Sequence, residues 1–381
     1  MLPSQRAEFD MPREVCYLNA AAWSPLPRKV QEAGHVGVGR KGQPWKIKDS
    51  FYGEQYERAR KAAAALINAD PEDIALISSV SYGVATAGKI LSVPAGSRVL
   101  LIQEDHTSPV LEWMTRAPQQ NFTVEEVKRP ADFDWTAAIL EAIERPGAPP
   151  VGLCSIASVH WSDGCQVDLG RVRAALREHG AAFVIDATHA AGVVQIDVQA
   201  LDPDFLVFPT YKWVLGPYAR AFLYIAKRRQ DGIPLEQTSF GRRGRVTEKP
   251  GPRDLAYVQG ARRFDMGERD HFISMEMAAV GMEMMAAWGS EAVVERLRML
   301  TDRLADGLRN SGVLIADARV RAPHILCLNF PKGMPAGLID RLAAHDVYVA
   351  PRLGRMRISP HVYNDEQDVD RFLERFRAEM S

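Results

Sequence analysis

The stretch that decides the fold is Asp204-Phe-Leu-Val-Phe-Pro-Thr-Tyr-Lys-Trp-Val-Leu-Gly-Pro-Tyr218, in which a short apolar run leads into Lys212. A second apolar run, Ala182-Phe-Val-Ile-Asp186, lies earlier in the chain and ends in an aspartate. Apolar runs of this length, followed by polar residues, are typical of buried strands. We therefore expect Lys212 and Asp186 to lie at the ends of two neighbouring strands.

Strand-like and helix-like segments alternate around this pair, from about residue 56 to residue 226. Strands are expected at residues 74–77, 98–102, 151–157, 183–186, 205–208 and 221–226. Helices are expected at residues 56–69 and 81–91, and two more begin at the caps Asp134 and Asp168. This alternation predicts an α/β fold, a mostly parallel sheet with helices on both faces. Ligands bind such sheets at the carboxyl ends of the strands.

A lysine and an aspartate at that edge of a sheet are the pair that a pyridoxal phosphate (PLP) enzyme needs. The lysine amine, here that of Lys212, forms a Schiff base with the cofactor aldehyde. The aspartate, here Asp186, keeps the pyridine nitrogen protonated, so that the ring draws electrons from the substrate. The cofactor phosphate needs amide and hydroxyl donors, which the run 78–83 offers at the start of a predicted helix. Ser81 and Tyr82 are the best contacts in that run.

The rest of the chain follows a different pattern. Residues 228–262 are rich in Gly, Pro and Arg and predict a long excursion. Two helices at residues 275–288 and 291–310 and a series of short elements then predict a smaller C-terminal α+β domain. We assign residues 15–250 to a large PLP-binding domain, and residues 1–14 and 251–381 to the small domain.

The composition excludes several classes of protein. The 381 residues carry a formal net charge of -1, which gives no strong field for nucleic acid or for an anionic membrane. No apolar run approaches the roughly 20 residues of a membrane span, and the N-terminus lacks the apolar core of a signal peptide. The four cysteines show neither a CxxC pair nor a zinc spacing. We expect a cytoplasmic protein with reduced thiols and no metal site.

Six runs carry a family resemblance. They are Tyr17-Leu-Asn-Ala-Ala, Val159-His-Trp-Ser-Asp-Gly, Ile185-Asp-Ala-Thr-His-Ala-Ala-Gly, Thr210-Tyr-Lys-Trp-Val-Leu-Gly-Pro-Tyr, Arg263-Phe-Asp-Met-Gly and Arg357-Ile-Ser-Pro-His-Val-Tyr-Asn. In this order, and across nearly the whole chain, they resemble the class V aminotransferase group of fold-type I PLP enzymes. That group includes cysteine desulfurases, selenocysteine lyases, kynureninases and isopenicillin N epimerase. The resemblance implies a homodimer that acts on an amino-acid substrate.

The resemblance also implies roles for side chains around the cofactor ring. His106 would stack on the ring and relay protons. His160 and His189 stand where the family has asparagine and glutamine near the cofactor phenolic oxygen, although an alignment shifted by one residue places Trp161 there instead of His160. We expect Lys212, His106 and His189 to take part in catalysis.

Three more residues are implied at the phosphate and the substrate. Tyr211 would bind the cofactor phosphate, as in the kynureninase branch. Arg357 would clamp the substrate α-carboxylate through two parallel hydrogen bonds. Asn19 would line the substrate pocket.

The type of reaction stays open at this point. Cysteine desulfurases carry a nucleophilic cysteine shortly before the carboxylate-binding arginine, and residues 343–357 contain no cysteine. We expect an aminotransferase-like enzyme that acts on an α-amino acid. The alternatives are a Cβ–S or Cβ–Se lyase without a catalytic cysteine, an epimerase or oxidative deaminase with a histidine as second base, and a degenerate PLP-fold protein that only binds.

Overall fold

The structure, a computed structural model, describes residues 2–243, 254–269 and 271–380. The strands are β1 Cys16–Tyr17, β2 Ile74–Ile77, β3 Arg98–Ile102, β4 Thr123–Val127, β5 Val151–Ala157, β6 Ala182–Asp186, β7 Phe205–Pro209, β8 Ala221–Ile225, β9 Leu326–Leu328, β10 Val347–Tyr348, β11 Ala350–Arg352 and β12 Arg355–Ile358. The helices are α1 Arg28–Gly42, α2 Asp49–Leu66, α3 Val80–Ile90, α4 Thr107–Gln120, α5 Trp135–Glu144, α6 Leu169–Glu178, α7 Val198–Leu201, α8 Ser274–Trp288, α9 Ser290–Gly307, α10 Leu338–Ala343 and α11 Glu366–Met380.

The main sheet has seven strands in the order β2-β8-β7-β6-β5-β3-β4. The strands from β7 to β4 are parallel to one another, whereas β8 is antiparallel to both of its neighbours. Asp186, the last residue of β6, lies opposite Ala157 of β5 and Val207 of β7. The carboxyl ends of these strands therefore meet at one edge, and the predicted α/β fold is confirmed.

Helices cover both faces of this sheet. Alternate residues of a strand point to opposite faces. In β6, Phe183 and Ile185 belong to a buried cluster with Trp135 of α5, whereas Val184 belongs to a cluster with Trp113 of α4. Packing on both sides fixes β6, and thereby the position at which Asp186 ends the strand.

The smaller C-terminal part is built on a three-stranded antiparallel sheet, β11-β12-β9. Its residues share a buried cluster with α9 and α11. β1 pairs in parallel with β10, and Cys16 and Leu18 lie in the same cluster. We therefore propose that the N-terminal portion of the small domain extends to about residue 21, beyond the predicted end at residue 14. The other domain bounds stay predictions.

Part of the predicted excursion at 228–262 can be followed. Residues 227–229 and 239–241 form short 3-10 turns, whereas residues 244–253 lie outside the described residues. Within the described ranges, no helix combines the length and the apolar character that crossing a membrane requires.

Candidate active site

A cavity of about 360 Å³ opens at the carboxyl edge of the main sheet. Its walls are formed by residues that follow β2, β3, β5, β6 and β7, which is where a sheet of this type binds ligands. The residues around it include Ser79, Ser81, Asp105, His106, Trp161, Asp186, His189, Tyr211, Lys212 and Arg220. A larger cleft of about 1100 Å³ elsewhere on the described chain is lined by none of the predicted site residues.

Lys212 and Asp186 both face this cavity and are both nearly buried, with exposed fractions of 8% and 5%. Burial, together with the charge of Arg357, lowers the pKa of the Lys212 amine to about 7. Burial raises the pKa of the Asp186 carboxyl, and a hydrogen bond of 2.8 Å from the Thr188 N–H opposes that rise. Near pH 7 the site therefore holds an amine that is present in both its neutral and its charged form, in a cavity that also holds a buried carboxyl group.

Two hydrogen bonds lead from Trp213 through His189 to Lys212. Trp213 Nε1 lies 3.0 Å from His189 Nδ1, and His189 Nε2 lies 3.2 Å from Lys212 Nζ. Burial and the charge of Lys212 lower the pKa of His189 well below its usual value, which keeps the ring neutral. Because an indole N–H can only donate, Nδ1 accepts and the neutral ring carries its proton on Nε2. Nε2–H then donates to Lys212, which accepts only as the neutral amine.

Two further buried histidines hold this pair in place. The His324 ring lies edge-on to Trp213 at 4.3 Å, and its Nε2 donates to the His189 carbonyl oxygen at 2.7 Å. The His361 ring stacks on Trp213, with centroids 5.4 Å apart and an interplanar angle of 26°. Since all these rings are buried, the indole has little freedom to turn its N–H away from His189.

The cavity wall after β2 is suited to an anion. Ser79 caps α3, and its Oγ lies 3.1 Å from Ser81 Oγ. The unpaired N–H groups and the dipole of a helix N-terminus favour negative charge. Tyr211 and Arg220 also line the cavity. Arg220 is nearly buried, donates from Nε to Ser274 Oγ at 2.6 Å, and has no partner for Nη1 among the described residues.

Arg357 lies on β12, close to the cavity, with an exposed fraction of 1%. Its Nη1 donates to the Trp161 carbonyl oxygen at 2.7 Å, whereas Nε and Nη2 have no partner within the described ranges. Burial, then the charge of Arg352, lowers the pKa of Arg357 to about 9. A buried guanidinium with two free donors on one edge is ready for a planar anion. Asn19 forms an isolated β-bridge with Ser359, the residue that follows β12. The Asn19 side-chain oxygen, Oδ1, also has no hydrogen-bond partner among the described residues.

The structure brings most of the predicted residues to one place. Lys212, Asp186, His106, His189, Ser81 and Tyr211 line the cavity. Arg357 contacts the cavity wall through Trp161, and Asn19 lies beside the strand of Arg357. Tyr82 does not line the cavity, and its hydroxyl group is hydrogen-bonded to Glu236. Burial, and then Glu236, raise the pKa of Tyr82.

His160 is not brought into the cavity. Its ring is fully buried, stacks on Trp135 at 4.9 Å, and uses Nε2 on the Gln103 carbonyl oxygen at 3.0 Å. Burial lowers its pKa to about 3. The following residue, Trp161, lines the cavity instead, as the shifted alignment places it. A sequence gives the order of residues in the turn after β5 but not which side chain faces inward.

Trp213, Arg220 and Asp105 also shape the site and were not among the predicted residues. Trp213 and Arg220 are described above. Asp105 accepts the N–H groups of His106 at 2.7 Å and Ala157 at 3.1 Å, which ties the ends of β3 and β5 together. Burial and the charge of Asp186 raise the pKa of Asp105 to about 7. Asp105 could have been predicted as a site residue because it directly precedes His106. No feature of the sequence indicated that Arg220 lies at the site.

Comparison with known proteins places these features in a family. The family model for aminotransferase class V matches residues 16–372. The uncharacterised aminotransferase YcbU of Bacillus subtilis is 25% identical over 366 residues, which cover 95% of this chain and 92% of that protein. Isopenicillin N epimerase of Streptomyces clavuligerus is 25% identical over 381 residues, which cover 96% of this chain and 94% of that enzyme.

Solved structures share the fold. The cystine C-S lyase C-DES, in complex with its product cysteine persulfide, matches with a TM-score of 0.85 at 18% identity, covering 96% of this chain and 97% of that chain. A variant of C-DES has glycine covalently linked to its PLP cofactor. The buried amine of Lys212, the carboxyl group of Asp186 and the unpartnered nitrogen of Arg220 are groups that a PLP aldehyde, ring nitrogen and phosphate require. Because the family model spans almost the whole chain, the protein belongs to the class V aminotransferase family of PLP enzymes.

Proposed function

We propose that this chain is a PLP-dependent enzyme that acts at the α-carbon of an amino acid and transfers its amino group. The observation that carries the proposal is the buried Lys212 amine, which shares the cavity with Asp186 and accepts a hydrogen bond only in its neutral form. When bound, PLP supplies an electron sink that stabilises negative charge at the substrate α-carbon. The protein supplies binding, orientation and proton transfer.

Arg357 orients the substrate in this proposal. Its free Nε and Nη2 suit the two oxygens of an α-carboxylate, and a bidentate contact fixes direction as well as position. The third nitrogen of the guanidinium, Nη1, donates to the Trp161 carbonyl oxygen. This hydrogen bond holds the guanidinium in that orientation. Asn19 offers a free oxygen to the substrate amino group.

Lys212 moves the proton in this proposal. A pKa of about 7 allows the amine both to take a proton from the α-carbon and to return it at neutral pH. His189 serves as a donor, because its Nε2 already carries the ring proton. For the same reason His189 is poorly suited as the second base of an epimerase.

The cysteines weigh against persulfide transfer by the protein itself. Cys16, Cys154, Cys165 and Cys327 are all buried, and burial raises the pKa of each thiol. A thiol that stays protonated is a poor nucleophile. A Cβ–S lyase needs no such thiol, since proton removal by Lys212 suffices. We keep it as the second candidate, and the likeness to C-DES supports it.

Product analysis separates the two candidates. The purified protein is loaded with PLP and offered a panel of amino acids, with and without a 2-oxo acid. A transaminase turns over only when the 2-oxo acid is present, whereas a lyase releases pyruvate, ammonia and a thiol from thioether amino acids without one. Lys212→Ala should abolish either activity. Loaded protein that performs neither reaction on any amino acid contradicts the proposal and favours a protein that only binds.

A homodimer in the cytoplasm is also part of the proposal. It is supported by the family to which the chain belongs, and light scattering after gel filtration tests the dimer. A mass that corresponds to one chain contradicts it.

A further inference from the structure

Three arginines lie on one face of the small sheet. β11 and β12 pair so that Arg352 lies opposite Arg355, and Ala350 lies opposite Arg357. Opposite residues of an antiparallel pair share a face, as do residues two apart. Arg352, Arg355 and Arg357 therefore point to the same side.

That side meets the wall of the cavity at Trp161. Arg357 binds the Trp161 carbonyl oxygen at 2.7 Å, and the guanidinium carbon of Arg352 lies 5.9 Å from the centre of the Trp161 ring. The charge of Arg352 also lowers the pKa of Lys212. Arg352 thus belongs to the surroundings of the reacting amine.

The three arginines differ in how their charges are balanced. Arg355 lies 3.6 Å from Glu104 and donates to Asn329 at 2.9 Å. Neither Arg352 nor Arg357 has a carboxylate partner in residues 2–243, 254–269 and 271–380. The hydrogen bond that Arg352 makes there goes to the carbonyl oxygen of its neighbour Pro351, at 2.8 Å.

Two adjacent guanidinium groups without a counterion repel each other, and anions relieve that repulsion. The anion at Arg357 is the substrate α-carboxylate that this residue is proposed to bind, which leaves Arg352 without one. The cofactor phosphate does not supply the second, because the wall suited to it holds Ser79, Ser81 and Arg220. The substrate side chain is the remaining part of a bound amino acid that can carry a second anion to Arg352.

We propose that Arg352 binds a second anionic group of the substrate, so that the enzyme prefers α-amino acids whose side chain ends in a carboxylate. This inference rests on the proposed function, since it assigns a substrate class to the same site. Arg352 is half-buried against Trp161, which weakens competition from water for the contact.

Pairs of amino acids that differ only in charge test this inference. The PLP-loaded protein is titrated with L-aspartate against L-asparagine and with L-glutamate against L-glutamine. Binding is followed both by calorimetry and by the change in the visible absorption of the bound cofactor. At least one acidic member should bind about tenfold more tightly than its amide, a difference expected for one charge-assisted contact. That preference should weaken as salt is raised.

Substitution of Arg352 locates the effect. Arg352→Gln should bring the acid-to-amide ratio close to one, and Arg352→Lys should retain part of it. Arg319→Gln is the matched control, because it removes one positive charge from an exposed side chain away from the cavity. It should leave the ratio unchanged.

Equal affinity within both pairs in the wild type overturns the inference, even if Arg352→Gln does not fold. An acid preference that persists in a folded Arg352→Gln protein overturns it as well. Protein that binds PLP but responds equally to acids and amides leaves the proposed function standing. Protein that takes up no PLP overturns the proposed function, and this inference with it.

Discussion

The hydrogen bond from Trp213 to His189 should control the protonation of Lys212, and substitution of Trp213 tests this. Trp213→Phe keeps an aromatic ring in the buried cluster but removes the N–H that lies 3.0 Å from His189 Nδ1. Without that donor, His189 is free to carry its proton on either nitrogen. In the Nδ1–H form its Nε2 accepts a hydrogen bond from Lys212, and this contact stabilises the charged ammonium.

The expected changes in folding stability and in the pKa of Lys212 can each be worked out from the free energy of one hydrogen bond. A buried acceptor without its donor costs about 1–3 kcal/mol of folding stability. A hydrogen bond to the ammonium that is worth about 1.4 kcal/mol raises the pKa of Lys212 by about one pH unit. Since the neutral amine captures the PLP aldehyde, the midpoint of capture should move upward from about pH 7 by that amount.

The assay is the rate of PLP capture, followed by visible absorption over a series of buffers that brackets neutrality. Nitrogen NMR of labelled histidine reports the His189 tautomer directly. Trp113→Phe is the matched control, because Trp113 is also fully buried but its Nε1 has no partner among the described residues. Both variants lose similar packing, so the difference in their unfolding free energies isolates the hydrogen bond.

If Trp213→Phe leaves the capture midpoint and the tautomer as they are in the wild type, the indole does not set the state of His189. Equal destabilisation by Trp213→Phe and Trp113→Phe leads to the same conclusion for stability.

Three further predictions concern single side chains. Arg357→Gln should raise KM for amino acids about 10- to 100-fold with a smaller change in kcat, and steady-state kinetics that show kcat falling while KM stays constant would contradict the clamp. Arg220→Gln should weaken retention of PLP about tenfold, which dialysis followed by cofactor assay measures; unchanged retention excludes this residue from the phosphate site. Lys212→Met should raise the Tm of the cofactor-free protein at neutral pH. The pKa of Lys212 is lowered on folding, so its charge costs stability as pH falls from about 10.4 towards about 7, and a Tm difference that does not grow over this window contradicts that value.

The strands that carry the site were predictable because they are buried and apolar. The bounds of β2, β3 and β5 agree with the prediction, and β6, β7 and β8 differ by one residue at an end. These strands are buried in the sheet, so the sequence of each is mostly apolar. The expected edge for ligands followed from that pattern.

Elements that depend on tertiary contacts were not predictable. β4 is Thr-Val-Glu-Glu-Val, an edge strand whose Glu125 is paired with Arg98 of β3, and the sequence lacks the apolar run on which the prediction relied. α1 contains several glycines, which disfavour a helix. One of them, Gly37, is required because an added Cβ would meet the Phe272 carbonyl group of the segment before α8.

The site residues also divide into those whose positions were predictable from local sequence and those whose positions depend on tertiary contacts. The positions of Lys212 and Asp186 at the ends of neighbouring strands were predictable from the apolar runs before them. His160 and Trp161 were not separable, because adjacent residues in a turn face different ways for reasons that only packing decides. Trp213 looked like an ordinary core residue, and its part in orienting His189 became visible only through a distance.

The most direct test of the central claim is to trap the bond between the protein and PLP. Purified protein is loaded with PLP, reduced with borohydride, digested and mapped by mass spectrometry. The mass of the reduced cofactor should appear on the peptide that contains Lys212, and Lys212→Ala should carry none. A protein that stays colourless, or an adduct on a different lysine while Lys212 remains unmodified, would contradict the account.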